Sequence, residues 1–198
     1  MMKNNVLLIG FKHAVSIHDI VEQIQETGKS CLIVSPDDFL LDTFDTENSS
    51  VMVAVFGNLE LRKLIINKID TKKIKRFTFI HPTCVVSSTA TIKPGTFVGP
   101  YSMIPNNAVV EEDCMIGPYC TVNHSAKLGK SCIMNTGAFV LGSSTIGDRC
   151  VLSARSTIID KITICDDVMI GAGAIVTKDI TEPGFYLGSP ARRRINVE

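Results

Sequence analysis

From Val86 onward an apolar side chain returns at every sixth position. The series runs Val86, Ile92, Val98, Ile104, Val110, Ile116, Val122, Leu128, Met134, Val140, Ile146, Leu152, Ile158, Ile164, Ile170 and Val176, sixteen positions without an insertion. Six is not a multiple of 3.6, so no α-helix keeps these residues on one face. It is a multiple of two, and short strands separated by turns do keep them together. Two residues before each apolar position stands a mostly small one, among them Cys84, Ala90, Thr96, Ser102, Ala108, Cys114 and Cys120. These small side chains are expected at the tight corners of a narrow prism. Gly99, Gly117, Gly129, Gly147 and Gly171 directly follow the large apolar residue, and are expected at turns where the backbone needs freedom.

The first 80 residues follow a different rhythm. Val6–Ile9 is a strand ending at Gly10, and residues 16–27 carry Ile17, Ile20, Val21 and Ile24 at helical spacing before Gly28. Cys31–Val34 is a second strand, followed by Pro36, Asp37 and Asp38. Val51–Phe56 is a third, ending in Gly57 and Asn58. Leu59–Ile69 is helical, and Phe77–Ile80 is a last strand. Alternating strands and helices predict a small Rossmann-like α/β domain over 1–80 with a parallel sheet. An all-β region of hexapeptide repeats, short strands separated by turns, fills 81–198. Such a sheet binds ligands beyond the carboxyl ends of its strands, where Gly10, Asp37, Asp38, Gly57 and Asn58 lie. Gly10-Phe11-Lys12-His13 is no G-x-G-x-x-G loop, which argues against a dinucleotide.

Charge narrows the partners. Twenty basic side chains balance twenty acidic ones among 198 residues, so no basic field exists to neutralise nucleic-acid phosphates. The apolar runs at Val6–Ile9 and Val51–Val55 are too short to span a bilayer. Met1–Asn5 leads directly into a strand with no signal-peptide cleavage site, and a cytoplasmic location is expected. The seven cysteines form no Cys-x-x-Cys pair. Five of them, Cys84, Cys114, Cys120, Cys132 and Cys150, occupy the small-residue column and are read as buried hydrophobes, with no metal.

Several local motifs carry a resemblance. Ile9-Gly10-Phe11-Lys12-His13-Ala14, Phe56-Gly57-Asn58-Leu59, Ile80-His81-Pro82-Thr83, Asn135-Thr136-Gly137-Ala138, Ile170-Gly171-Ala172-Gly173-Ala174 and Gly188-Ser189-Pro190-Ala191 are similar to stretches of the nucleotide-sugar N-acetyltransferases and related sialic-acid O-acetyltransferases. That family belongs to the hexapeptide-repeat acyltransferases. The resemblance implies a left-handed parallel β-helix of eighteen-residue coils, acetyl-CoA as acyl donor, and a nucleotide-linked amino sugar as acceptor. It also implies a homotrimer whose neighbouring β-helices form the acyl-CoA groove. Gly10, Phe11, Lys12, His13, Asp37, Asp38, Gly57 and Asn58 would hold the nucleotide sugar. Asn123, Asn135 and Thr136 would hold the acceptor. Gly142, Ser143, Ala154, Gly171, Ala172, Lys178, Pro190, Arg192 and Arg193 would hold acetyl-CoA, the cationic ones by its phosphates.

One departure matters for the chemistry. In the family a histidine follows the Asn-Thr-Gly-Ala motif and serves as general base, whereas Gly142 stands at that position here. His124 lies eighteen residues earlier, one coil back in the same column, with Asn106 beyond it and Asp160 on the other side of Gly142. A neutral imidazole there is the expected catalytic base. Catalysis by positioning alone is an alternative. The missing family histidine favours an amine over a hydroxyl acceptor. O-acetylation of a sugar or sialic acid is the enzymatic rival, and a non-catalytic β-helix scaffold is the rival from another class.

Overall fold

The computed structural model describes residues 5–44 and 46–194; residues 1–4, on which part of the leader expectation rests, lie outside the described residues. The chain divides into two compact units, Met1–Phe79 and Ile80–Glu198.

In the first unit, β1 (Asn5–Ile9), α1 (Val15–Glu26), β2 (Cys31–Val34), α2 (Pro36–Leu40), β3 (Ser49–Val53) and α3 (Leu59–Thr71) follow in order. The three strands form a parallel sheet in the order β2-β1-β3. Leu7, Ile9, Val51 and Val53 pack against Phe39 of α2 and against Ile65 and Ile69 of α3. The short helix α2 was not foreseen. Ser35 caps it, its Oγ accepting the Asp38 N–H at 3.1 Å, and Pro36 starts it with a preset φ. Of the strand expected over Phe77–Ile80, Phe79–Ile80 forms, but it is not part of this sheet. Only an isolated bridge joins Arg76 to Val51, with the Phe77 N–H donated to the Val51 carbonyl at 2.7 Å. Behind the end of β3, the buried Arg62 donates from Nη1 to the Val53 and Val55 carbonyls at 2.7 and 3.3 Å. That contact fixes the path of the loop leading to Gly57.

The second unit is a left-handed parallel β-helix with three faces. The first face includes Phe97–Val98, Met115–Ile116, Ile133–Met134, Val151–Leu152 and Val168–Ile170. The second stacks Val85–Val86, Met103–Ile104, Thr121–Val122, Phe139–Val140, Thr157–Ile158 and Ile175–Val176. The third stacks Thr91–Ile92, Val109–Val110, Lys127–Leu128, Thr145–Ile146 and Thr163–Ile164. Every pairing within these stacks is parallel and joins residues eighteen apart, as Met115↔Ile133 and Lys127↔Thr145. The apolar sixth residues point inward, and from Val98 to Val176 all are buried in one core. Beyond the last coil the chain returns as Gly184–Leu187 alongside Val168–Ile170, then turns back antiparallel as Arg192–Arg193.

The corners show why small residues recur there. Ser144 Oγ donates to the Ile159 carbonyl at 2.7 Å and accepts the Ile162 N–H at 3.1 Å. Ser102 does the same between Gly117 and Cys120, and Thr96 between Glu111 and Cys114. Thiols replace the hydroxyl as donors, with Cys114, Cys120 and Cys132 giving to Gly129, Asn135 and Gly147 carbonyls at 3.1 Å. The corner cysteines are therefore weak donors as well as small hydrophobes.

The glycines after the apolar positions are not the freely turning residues expected from sequence. The left-handed φ falls on other positions, such as Tyr101, Tyr119, Ser125, Ser143 and Arg155, at 57–58°. Gly129 and Gly147 are needed because coils stack too closely for a side chain: a Cβ would lie 2.5 Å from the Gly147 carbonyl oxygen and 2.6 Å from the Cys165 carbonyl carbon, respectively.

Candidate active site

After each strand of the second face the chain rounds a corner toward the third face. Residues eighteen apart form one column there: Asn106, His124, Gly142, Asp160 and Lys178. His124 is exposed, while Gly142 above it is buried. A Cβ on Gly142 would lie 2.6 Å from both Cε1 and Nε2 of His124 and 3.2 Å from Asp160 Oδ1. The imidazole thus leans into the space that a side chain at 142 would fill. Asp160 Oδ1 accepts the Gly142 N–H at 2.7 Å from the next coil. The His124 N–H is taken by the Oδ1 of its own neighbour Asn123, also at 2.7 Å, and the His124 carbonyl accepts from Ser143 at 3.0 Å.

Lys178 ends this column three coils beyond His124, about 14 Å away at a strand spacing of ~4.8 Å. There it lines an open hollow of about 320 Å³ with Asp179, Tyr186, Arg192 and Arg193. Arg193 is partly engaged, pairing with Glu182 at 2.6 Å and donating to the Pro183 carbonyl at 3.0 Å. The Arg192 side chain donates from Nη1 to the carbonyl of its neighbour Ala191 at 2.9 Å. Pro190, exposed and preceded by a cis peptide bond, belongs to the same terminal segment.

The other expected residues lie elsewhere. Asn135, Thr136, Ala154, Gly171 and Ala172 occupy the corner between the first and second faces, across the second face from His124. Within one chain the two groups do not meet. The N–H of Gly171, a residue expected to hold acetyl-CoA, is already donated to the Tyr186 carbonyl at 2.8 Å, and the Leu187 side chain covers the glycine. The Ala154 carbonyl accepts from Gly173, and the Thr136 carbonyl from Arg155. Sequence reading missed a pair on this edge. Tyr101 and Tyr119, both exposed, stack with ring centroids 5.1 Å apart. Their eighteen-residue separation was the available signal.

In the first unit Gly10, Phe11, Lys12 and His13 follow β1, Asp37 and Asp38 open α2, and Gly57 and Asn58 precede α3. All lie at the carboxyl end of the parallel sheet. Gly10 is there for close approach, since a Cβ would sit 2.9 Å from the Ala54 carbonyl oxygen and 2.5 Å from Ile17 Cδ1. Two of these residues serve the fold: Asp38 accepts from Ser35 Oγ at 2.7 Å, and Asn58 Oδ1 caps α3 by accepting the Leu61 N–H at 3.0 Å. The Phe11 and His13 rings lie 5.5 Å apart, and Lys12, His13, Asp37 and Gly57 are exposed.

Comparison with known proteins places this geometry. Residues 143–178 match the family model described as bacterial transferase hexapeptide (six repeats). Residues 107–141 match the hexapeptide repeat of succinyl-transferase. No curated protein matches the sequence. Among solved structures, the acetyltransferase domain of PglB from Neisseria gonorrhoeae is 21% identical over 97% of this chain and 100% of its own, with a TM-score of 0.88. A histidine-to-asparagine variant of perosamine N-acetyltransferase from Caulobacter crescentus, in complex with CoA and GDP-perosamine, is 23% identical. It covers 97% of both chains at a TM-score of 0.87. PerB from the same organism, with the same two ligands, is 24% identical over 96% and 97% at 0.86. At these identities the likeness is one of fold. No helix among the described residues is long and apolar enough to cross a membrane.

Proposed function

We propose that this chain, whose second unit is a hexapeptide-repeat domain of the transferase type, moves an acetyl group from acetyl-CoA to the amino group of a nucleotide-linked amino sugar. The observation that carries the reading is the His124 imidazole lodged over Gly142, in line with the cationic hollow three coils away. A histidine so placed has its Cε1–Nε2 edge in the space over Gly142 while the residue remains exposed to solvent, as a base needs.

In the reaction the sugar amine attacks the thioester carbonyl. The new C–N bond forms as the amine gives its proton to His124, and the C–S bond then breaks. The departing CoA thiolate takes up the proton that His124 held. Lys178 and Arg192 hold the CoA phosphates, and the ~14 Å between that hollow and His124 is bridged by the pantetheine arm. In the first unit, Lys12, at the loop opening onto α1, meets the nucleotide diphosphate, and Asp37 meets polar groups of the nucleoside. The relatives solved with CoA and GDP-perosamine, and the PglB domain solved with acetyl coenzyme A, support this choice of donor and acceptor.

The working form in this proposal is a homotrimer. The site residues fall on two edges flanking the second face, and that face exposes Val85, Met103 and Phe139. A second copy against it buries apolar surface and brings Asn135 and Thr136 of one chain toward His124 of the next. The activity belongs in the cytoplasm, in the supply of acetylated sugars for surface glycans.

The test is incubation with acetyl-CoA and a panel of UDP-, dTDP- and GDP-linked amino sugars, followed by mass spectrometry. A product heavier by one acetyl group supports the assignment. No product on any amine, with acetylation of a hydroxyl sugar instead, would move the acceptor class. No transfer at all refutes the enzyme. His124→Asn is expected to lower turnover by ~10²–10⁴-fold, and a loss under about tenfold would remove His124 as the base.

A further inference from the structure

Along the corners of the β-helix, a side chain one coil ahead repeatedly caps the backbone N–H beneath it. Asp148 Oδ1 takes the Lys130 N–H at 2.8 Å, Asp166 Oδ1 takes that of Asp148 at 2.9 Å, and Asp160 Oδ1 takes that of Gly142 at 2.7 Å. By this rule the residue at 142 would cap His124. Gly142 has no side chain to do so, and two things change together. Asn123 Oδ1 turns in to cap the His124 N–H. The imidazole moves into the vacant space, with Cε1 and Nε2 2.6 Å from where a Cβ would stand.

We infer that Gly142 is a positioning residue for His124: its missing side chain is the seat of the imidazole, and Asn123 locks the turn below it. The inference rests on His124 being the base. Seated this way, the ring has the Asp160 carboxylate on the far side of the same small space. That carboxylate is already oriented by the Gly142 N–H. It favours the imidazolium that forms when the amine loses its proton. The seat also carries the ring toward the coil of Gly142, nearer the cationic hollow than its own Cα lies.

A methyl group at 142 would collide with the far end of the rotatable His124 side chain and crowd Asp160 Oδ1 at 3.2 Å, so the ring gives way and the carboxylate shifts by a few tenths of an ångström while the coil stays intact. Gly142→Ala is therefore expected to fold and to lose about 10²-fold in kcat, the scale of a misplacement of ~1 Å. In a His124→Asn background, Gly142→Ala should cost less than threefold more, because its effect passes through the ring. Asn123→Ala should show a milder loss that Asn123→Asp restores.

A second readout is independent of turnover. With ¹³C-labelled histidine, assigned by the signal lost in His124→Asn, the ring protons should show nuclear Overhauser contacts to the Gly142 Hα protons. These contacts should vanish in Gly142→Ala. Absence of the contacts in the unmodified protein overturns the inference whatever the kinetics show. Additive losses in the double variant overturn it as well. Contacts present together with an unimpaired His124→Asn enzyme would leave the seat standing and remove the base, so the two readings fail separately.

Discussion

Replacing Ser144 by alanine tests the account of the corners. Ser144 is fully buried, and its Oγ bridges the Ile159 carbonyl and the Ile162 N–H at 2.7 and 3.1 Å. If removal left both groups unpaired, each would cost ~1–3 kcal/mol. The structure holds an escape. At Ala126, Ala138 and Ala174 the corner N–H closes directly on the carbonyl three residues back, at 3.0, 3.1 and 3.1 Å. Ile162 and Ile159 have that same spacing. The hydroxyl is thus inserted into a bond the backbone can make alone, and the net loss is that of one hydrogen bond, about 1 kcal/mol. For a chain of this length that lowers the melting temperature by roughly 2–4 °C. Circular dichroism of the unliganded protein at fixed concentration measures it. A fall beyond about 8 °C would show the groups orphaned, and no fall would show the bridge idle. Ser144→Cys should be close to neutral, because thiols donate at equivalent corners.

Lys178→Ala is expected to raise the KM for acetyl-CoA about tenfold with kcat unchanged, whereas Arg193→Ala, whose charge is already shared with Glu182, should change it little; equal effects would refute this division. A thiol dye at neutral pH should label at most Cys84 and Cys165 quickly in the folded protein, since Cys31, Cys114, Cys120, Cys132 and Cys150 are buried, and all seven in denaturant. Burial pushes the Cys31 and Cys120 thiols from 9.0 up to about 11, so the fold favours their neutral forms. That contribution is intact below pH 9 and lost as pH rises from 9 toward 11, where unfolded thiols ionise first. Flat denaturation midpoints across that range would contradict it.

The β-helix was legible because its period is written residue by residue: an even repeat of six leaves no room for another element. The column joining His124, Gly142, Asp160 and Lys178 followed from counting by eighteen. What counting could not supply was direction. Nothing in the spacing says that the imidazole leans toward Gly142 or that Asn123 turns in to cap the backbone. Nor does it say that Leu187 covers Gly171, since that depends on where the chain goes after the repeats end. The glycines were misread because φ freedom and close stacking leave the same letter in a sequence. In the first unit α2 escaped notice because five residues hold too little periodicity, and its start is set by one serine hydroxyl.

The stacking of coils at a single spacing makes the corner column a ruler. Distance along it comes only in whole strokes of ~4.8 Å, and His124 and the cationic hollow are separated by three of them. A mutation of one residue cannot alter that interval, but loss or gain of eighteen residues between His124 and Lys178 changes it by one stroke and leaves every face in register. On the proposed function, the reach of the acyl donor would change only by integers, by copying or dropping a turn of chain as a tailor lets out a hem.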